Sequence, residues 1–292
     1  MAITSNMARW FSNYDNRNSM GSRLRVKRIA SLPDMIRQVF ARQGRVSIID
    51  LGGRKNYWNI LPRDFLVEHK VSITIVNLPG DITPEDHGPF SFAEADCCDL
   101  SCFDEDSFDI AHSNSVIEHV GDWVRMFQFA TELDRVSQRY FVQTPNFWFP
   151  VEPHFMTPFF HWLPISMRIW LVQRFQLGHR PRAASIDEAV RRVESVRLLN
   201  RKMYQALFPD AEILTERILG LPRSLIPVKT AKTRTAGYRV DDRGDGSRQV
   251  AVPDAFHPLP RPPAVGSGQP TRHRLTHYRA SADLSLPRDR CT

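Results

Sequence analysis

Between Leu24 and Phe40 the apolar residues Ile29, Leu32, Ile36, Val39 and Phe40 recur at helical spacing. This predicts an amphipathic helix with Pro33 in an early turn and Gly44 as its stop. Val46–Leu51 is then a β-branched run closed by Gly52 and Gly53, a buried strand entering a tight turn. Residues 59–69 suit a helix, and Val71–Leu78 a second strand closed by Pro79-Gly80. Further strands are expected at Phe92–Asp96, Ser107–Ser113 and Arg139–Gln143, with a helix over Trp123–Val136 whose Met126, Phe127, Ala130, Leu133 and Val136 share a face. Strands alternating with helices mean βαβ units, a parallel sheet and helices on both faces. Ligands of such sheets sit beyond the carboxyl ends of the strands.

After Asn146 the texture changes. The stretch 147–164 is dense in aromatics and proline and leads into Met167–Val172, which reads as a helical aromatic cap over the strand ends, about 147–182. A long helix is expected from Ser185 to Phe208, with Ser185 as N-cap and Asp187 and Glu188 in its first turn. Glu212–Leu214 with Arg217–Leu219, and Ser224–Val228, look like sixth and seventh strands. Residues 253–292 hold seven prolines and six arginines and few large apolar residues. Such a composition cannot bury enough surface to offset chain entropy, so a disordered Pro/Arg-rich tail is expected over 230–292. The expected organisation is a basic arm and helix over 1–45, a domain over 46–229, and this tail.

The chain has 292 residues and a formal net charge of +7, a balance that suggests nucleic acid. The distribution removes that reading. Residues 1–45 carry +7, 46–229 carry −5, and 230–292 carry +5. The middle is acidic, so chemistry there proceeds without a basic groove, and no nucleic-acid partner is expected. The four cysteines, Cys97, Cys98, Cys102 and Cys291, make neither a disulfide framework nor a zinc pattern, and no metal is expected. The N-terminal stretch has no apolar run of the secretory type, no segment is long enough to span a bilayer, and a cytoplasmic protein is expected.

A strand ending in Asp-x-Gly-Gly offers close backbone approach to a ligand, although glycine turns are common. Asp50 stands at that strand end, and Asp96 recurs at the third. The stretch DEDSFDIAHSNSVIEHV (104–120) follows. Together with IIDLGG (48–53) and RYFVQTPNFWFPVEPHFMTPFFHWLP (139–164), it resembles the class I S-adenosylmethionine-dependent methyltransferases of the type 11 group. The resemblance covers about 30–230. It implies an α/β, Rossmann-like, seven-stranded, mostly parallel sheet and S-adenosylmethionine as cofactor. It puts Asp50, Gly52 and Gly53 along the methionine part, and Asn77 and Leu78 at the ribose. Asp96 and Cys97 would meet the adenine, and Ser113 and Asn114 would lie beside the sulfonium. Arg54 replaces the usual third glycine, and Asn77 stands where an acidic residue is usual.

Methyl transfer is an in-line displacement in which positioning and exclusion of water dominate, with a base needed for a hydroxyl acceptor. Glu118 and His119 are the catalytic candidates nearest in sequence, and Gln143, Asn146, Glu152 and His154 the candidates for touching the acceptor. The competing accounts are capping or packing under the next helix for His119, helix-end electrostatics for Glu118, and a surface or cap-packing role for Glu152 and His154. The aromatic cap suits a lid over a small-molecule or glycan-type acceptor. With Arg168 and Arg174 beside it, the cap is also compatible with peripheral contact at a membrane. The alternative is a non-catalytic binding or scaffold protein that keeps the fold. A nucleic-acid methyltransferase is disfavoured, because Thr144-Pro145-Asn146-Phe147 is a poor substitute for the Asn/Asp-Pro-Pro-aromatic motif.

Overall fold

The structure, a computed structural model, describes residues 28–80, 88–178 and 180–230. The basic arm before residue 28 and the tail beyond residue 230 lie outside the described residues, and so do the expectations placed on them.

Helix α1 (Ser31–Gln43) buries Leu32, Met35, Ile36 and Val39 along one side. It stops where Gly44 turns left-handed (φ 71°) and donates its N–H to Phe40 O, a termination that glycine makes cheaply. Strand β1 (Val46–Leu51) follows. The helix predicted over 59–69 is instead a 3-10 turn (Lys55–Ile60) and a short helix α2 (Arg63–Glu68). Pro62 explains the break: its ring drives the preceding Leu61 into extended backbone (φ −94°, ψ 143°). Strands β2 (Val71–Asn77), β3 (Phe90–Glu94) and β4 (Ile110–Asn114), a 3-10 turn (Ile117–His119), helix α3 (Trp123–Val136) and β5 (Tyr140–Pro145) complete the first half. Asp122 caps α3 by accepting from Arg125 N.

The cap holds a two-stranded hairpin, β6 (Val151–Glu152) with β7 (Thr157–Pro158), a 3-10 turn (Phe160–Trp162) and helix α4 (Ile165–Arg174). The expected helix from Ser185 to Phe208 is two helices, α5 (Ile186–Glu194) and α6 (Arg201–Leu207). Tertiary pairing outweighs helix propensity between them. Phe147 N donates to Leu199 O at 3.0 Å, and Arg197 N donates to Glu118 O at 2.8 Å. Asn200 then starts α6 by accepting from Met203 N. A hairpin of β8 (Glu212–Ile218) and β9 (Leu221–Lys229), joined through Leu219 and Gly220, follows as the last pair of strands among the described residues.

The seven strands lie in the order β3-β2-β1-β4-β5-β9-β8. The first five are mutually parallel, and β9 and β8 run antiparallel to their neighbours. This is a Rossmann-like α/β fold. The period of two along β1 sends Ile49 and Leu51 into one core with Phe129, Leu133 and Tyr204, and Ile48 into the other with Leu32, Ile36 and Ile73. The cap has a small core of its own around Phe155, Phe160 and Val172. No helix among the described residues is long and apolar enough to cross a membrane.

Candidate active site

At the end of β1 the chain turns through Gly52 (φ 67°) and Gly53. A Cβ on Gly53 would stand 1.8 Å from Asp50 Oδ2, and one on Gly52 2.6 Å from the Val116 side chain. Both positions exclude any other residue without rearrangement. Asp50 itself is 1% exposed. Its Oδ2 accepts from Trp58 Nε1 at 2.7 Å, and its Oδ1 lies 2.6 Å from His112 Nδ1. His112 Nε2 in turn lies 3.3 Å from the Tyr57 hydroxyl. Asp50 also lines the cleft that opens above, where the resemblance puts it, but with both oxygens already engaged inside the protein. It ties the glycine turn, the following 3-10 turn and β4 into one buried knot. His112, Trp58 and Tyr57 were not singled out in the sequence. Trp58 and Tyr57 sit within eight residues of Asp50, but His112 joins only through the β1–β4 pairing of Asp50 with His112.

Above this knot opens a cleft of about 450 Å³ lined by Gly52, Gly53, Arg54, Asn56, Asn114 and Ser115, among others. Asn114 Oδ1 is buried there without a hydrogen-bond partner. Ser115 follows in left-handed backbone (φ 58°), costly for a non-glycine residue and held by its N–H to Gln143 O at 2.9 Å. Ser113, by contrast, is fully buried and donates to Leu51 O at 3.1 Å. The expectation that it flanks a sulfonium is corrected, because its hydroxyl is spent on Leu51 O and it stands outside the lining of the cleft.

Asn77, Leu78, Asp96 and Cys97 stand outside the lining of this cleft. Asn77 Nδ2 donates to Gly53 O at 3.0 Å and so clamps the glycine turn. Leu78 is exposed. Asp96 accepts from Cys98 N at 2.9 Å and pairs with Arg125 at 2.5 Å. Partial burial draws its carboxyl upward, but the Cys98 N–H and the Arg125 guanidinium together hold it below the usual carboxylate range. The Cys97 thiol is buried, and that burial pushes it up to about 12.

Further along the same sheet edge, Glu118 is 1% exposed. Its Oε2 accepts from Thr144 at 2.9 Å, and its Oε1 is buried with no partner. Burial pushes its carboxyl up. His119 Nδ1 lies 2.9 Å from Ser195 O, and its Nε2 faces His154 Nε2 at 3.0 Å. His154 Nδ1 meets Glu152 Oε1 at 2.7 Å, and Glu152 Oε2 accepts from Phe155 N. Burial draws His154 down, but the bond to the Glu152 carboxylate prevails and raises it. The structure thus brings together Glu118, His119, Glu152 and His154, from the two groups that the sequence kept apart.

Gln143 and Asn146 are corrected as acceptor contacts. Gln143 is buried, accepting from Ser115 Oγ and donating to Ser224 Oγ. Asn146 donates to Pro222 O and accepts from Trp148 N. Both fasten β5 and the root of the cap. Under the cap lies a second cavity, of about 520 Å³, with Phe147, Phe155 and Phe160 on its walls and Glu152, His161 and Arg168 among its polar groups. His161 Nδ1 and Arg168 Nε are buried without partners. Because His161 Nε2 faces the Phe147 carbonyl at 2.7 Å, it carries the proton and Nδ1 is the acceptor. His161 was missed in sequence because the aromatic density around it reads as packing, and Arg168, read there as a membrane-facing charge, lines this cavity instead.

No family model and no curated protein matches the chain. Solved structures do. An O-methyltransferase family protein from Burkholderia thailandensis is 15% identical, with a TM-score of 0.39; 78% of this chain and 64% of that one are covered. A SAM-dependent methyltransferase from Archaeoglobus fulgidus is 12% identical over 68% of this chain and 94% of that one, with a TM-score of 0.40. A 1,6-didemethyltoxoflavin-N1-methyltransferase from Burkholderia thailandensis, solved with S-adenosylhomocysteine, is 14% identical over 68% of this chain and 77% of that one, with a TM-score of 0.37. These are remote likenesses, so what the chain does is read from its own residues.

Proposed function

We propose that this chain is an S-adenosylmethionine-dependent methyltransferase acting on a hydroxyl-bearing small molecule or glycan-type acceptor. The observation that carries the reading is the cleft at the carboxyl ends of β1 and β4, floored by two glycines that admit no Cβ and edged by the unpartnered Asn114 Oδ1. Such a cradle lets a ligand approach the backbone, and the orphan oxygen calls for a donor, as an ammonium group would supply. Gly52, Gly53 and Asn114 would hold the methionine part, while Asn77, through its carboxamide oxygen, and the Asp96–Cys97 backbone would meet the nucleoside. When bound, the cofactor supplies an electrophilic methyl group on a cationic sulfur, which suits the −5 charge of residues 46–229.

The cap cavity supports an acceptor rich in hydroxyls. It offers one buried donor, Arg168 Nε, and one buried acceptor, His161 Nδ1, between aromatic walls. With their ring nitrogens and carboxylate free of other ligands, Glu118, His119 and His154 would handle the hydroxyl proton. The cap excludes water from the reacting atoms.

Calorimetric titration with S-adenosylmethionine and S-adenosylhomocysteine tests the reading. Micromolar binding is expected, weakened at least tenfold by Asn114→Ala. Absence of heat at millimolar ligand would sink it. That result would favour the second reading, a binding protein that keeps the fold without the cofactor. The engagement of Asp50 by Trp58 and His112, and of Asp96 by Arg125, is the observation on its side.

A further inference from the structure

We infer that Glu118, His119 and His154 form a binding site for a divalent transition metal of the zinc class. The site is independent of whether the chain transfers methyl groups. Ligand atoms of the three side chains lie within 4.8 Å of one another. The tautomers follow from the partners. His119 Nδ1 faces the Ser195 carbonyl and His154 Nδ1 faces the Glu152 carboxylate, and both partners only accept. Both Nδ1 atoms therefore carry protons. In the neutral rings both Nε2 atoms then present lone pairs to each other across 3.0 Å. Two lone pairs so placed repel unless something positive sits with them.

A metal ion meets that need, and the distance suits it. Two nitrogens each about 2.0–2.1 Å from zinc, at the tetrahedral angle, stand about 3.3 Å apart. Glu118 supplies the independent sign. Its Oε1 is fully buried, has no partner, and belongs to the residue grouped with the two imidazoles. A single proton shared by the imidazoles would relieve their repulsion but leave that oxygen orphaned. The surroundings are those that metal ligands use: a carboxylate on one imidazole, a carbonyl on the other, and a hydroxyl, from Thr144, on the carboxylate. Three ligands leave a tetrahedral ion one open position, and His119 is exposed. Glu152, which holds His154, also lines the cap cavity, and with His119 exposed, water is the fourth ligand this arrangement favours. Spacing along the sequence does not reveal the site, because His154 arrives from the cap.

The test uses the full chain without an affinity tag, stripped with a chelator and titrated with Zn²⁺ by calorimetry, then with Co²⁺ by visible absorption. One tight equivalent is expected, with a Co²⁺ spectrum of low coordination number. The chain has 10 histidines, so the variants discriminate. His119→Ala and His154→Ala should each weaken that equivalent at least ~100-fold, and Glu152→Gln, at a residue that orients His154 without ligating the ion, by about 10–100-fold. Melting temperatures measured without metal separate this loss from unfolding; His119 is exposed, so its replacement should not unfold the chain. No uptake of either metal, or uptake unchanged in His119→Ala, would overturn the proposal. The proton-sharing arrangement is then the one that remains.

Discussion

Asp50 sits in a place with almost no water, with one carboxyl oxygen accepting from Trp58 and the other 2.6 Å from His112 Nδ1. Removing one member of such a buried set leaves the others unsatisfied. Asp50→Ala is therefore expected to lower stability by about 3–5 kcal/mol, measured by urea unfolding, and not merely to weaken a ligand. An unchanged midpoint would show that the knot is dispensable. Gly53→Ala should cost about 1–3 kcal/mol through overpacking against Asp50, and should abolish cofactor binding in the same titration. Cys97 makes a chemical prediction. Its thiol, pushed up to about 12 by burial, should resist iodoacetamide at neutral pH in the native chain, as peptide mass spectrometry would register, and react freely in urea. The folded state holds that proton more tightly than the unfolded chain does. The associated stability is present below about pH 8.5 and is lost as the pH rises toward 12. At this scale the sequence marked Asp50 but misjudged its partner, since His112 stands on another strand.

Elements were read best where local pattern and tertiary packing agree. Helix α3 runs from Trp123 to Val136 as its apolar period indicates, and buries Met126, Phe129, Ala130, Leu133 and Val136. Phe127, counted to that face, is exposed. The pattern over 185–208 misled because the partners in the strand-like contact of Leu199, Asn146 and Phe147, lie 53 and 52 residues away in sequence. The β8–β9 hairpin was legible as strands but not as a joint. Leu219 (φ 51°) and Gly220 (φ 81°) make a two-residue turn with both backbones left-handed. Leu219 is 97% exposed, so nothing offsets the strain of a branched apolar residue there. Leu219→Asn should raise stability by about 0.5–1 kcal/mol, visible as an upward shift in thermal midpoint. A downward shift would mean that the turn is not strained as described.

Across the whole molecule, the cofactor-type cleft and the cap cavity are joined by one short stretch of chain. Asn114 and Ser115 line the first, Gly121 and Asp122 line the second, and Glu118 and His119 stand between them in sequence. Such a division of labour predicts separable defects. Arg168→Gln should raise KM for the acceptor about tenfold or more, the worth of a charge-assisted hydrogen bond. It should leave S-adenosylmethionine affinity unchanged, as parallel kinetics and calorimetry would register. If both parameters moved together, the two cavities would be one site. The charge count read from the sequence bears on this only through the acidic middle. The partners that make the site, His161, Arg168 and His154, all come from the cap, where the sequence offers aromatic density and no motif.

The contact of Gly53 with Asp50 also constrains how such a chain can change over generations. While Asp50 is present, no residue with a Cβ fits at 53. While Trp58 and His112 point inward, Asp50 cannot be lost without stranding them. Four positions on three separate segments are thereby locked into one inheritable unit. A lineage could abandon the acceptor pocket, or even the reaction, one substitution at a time, yet this knot would persist as the last trace of its ancestry.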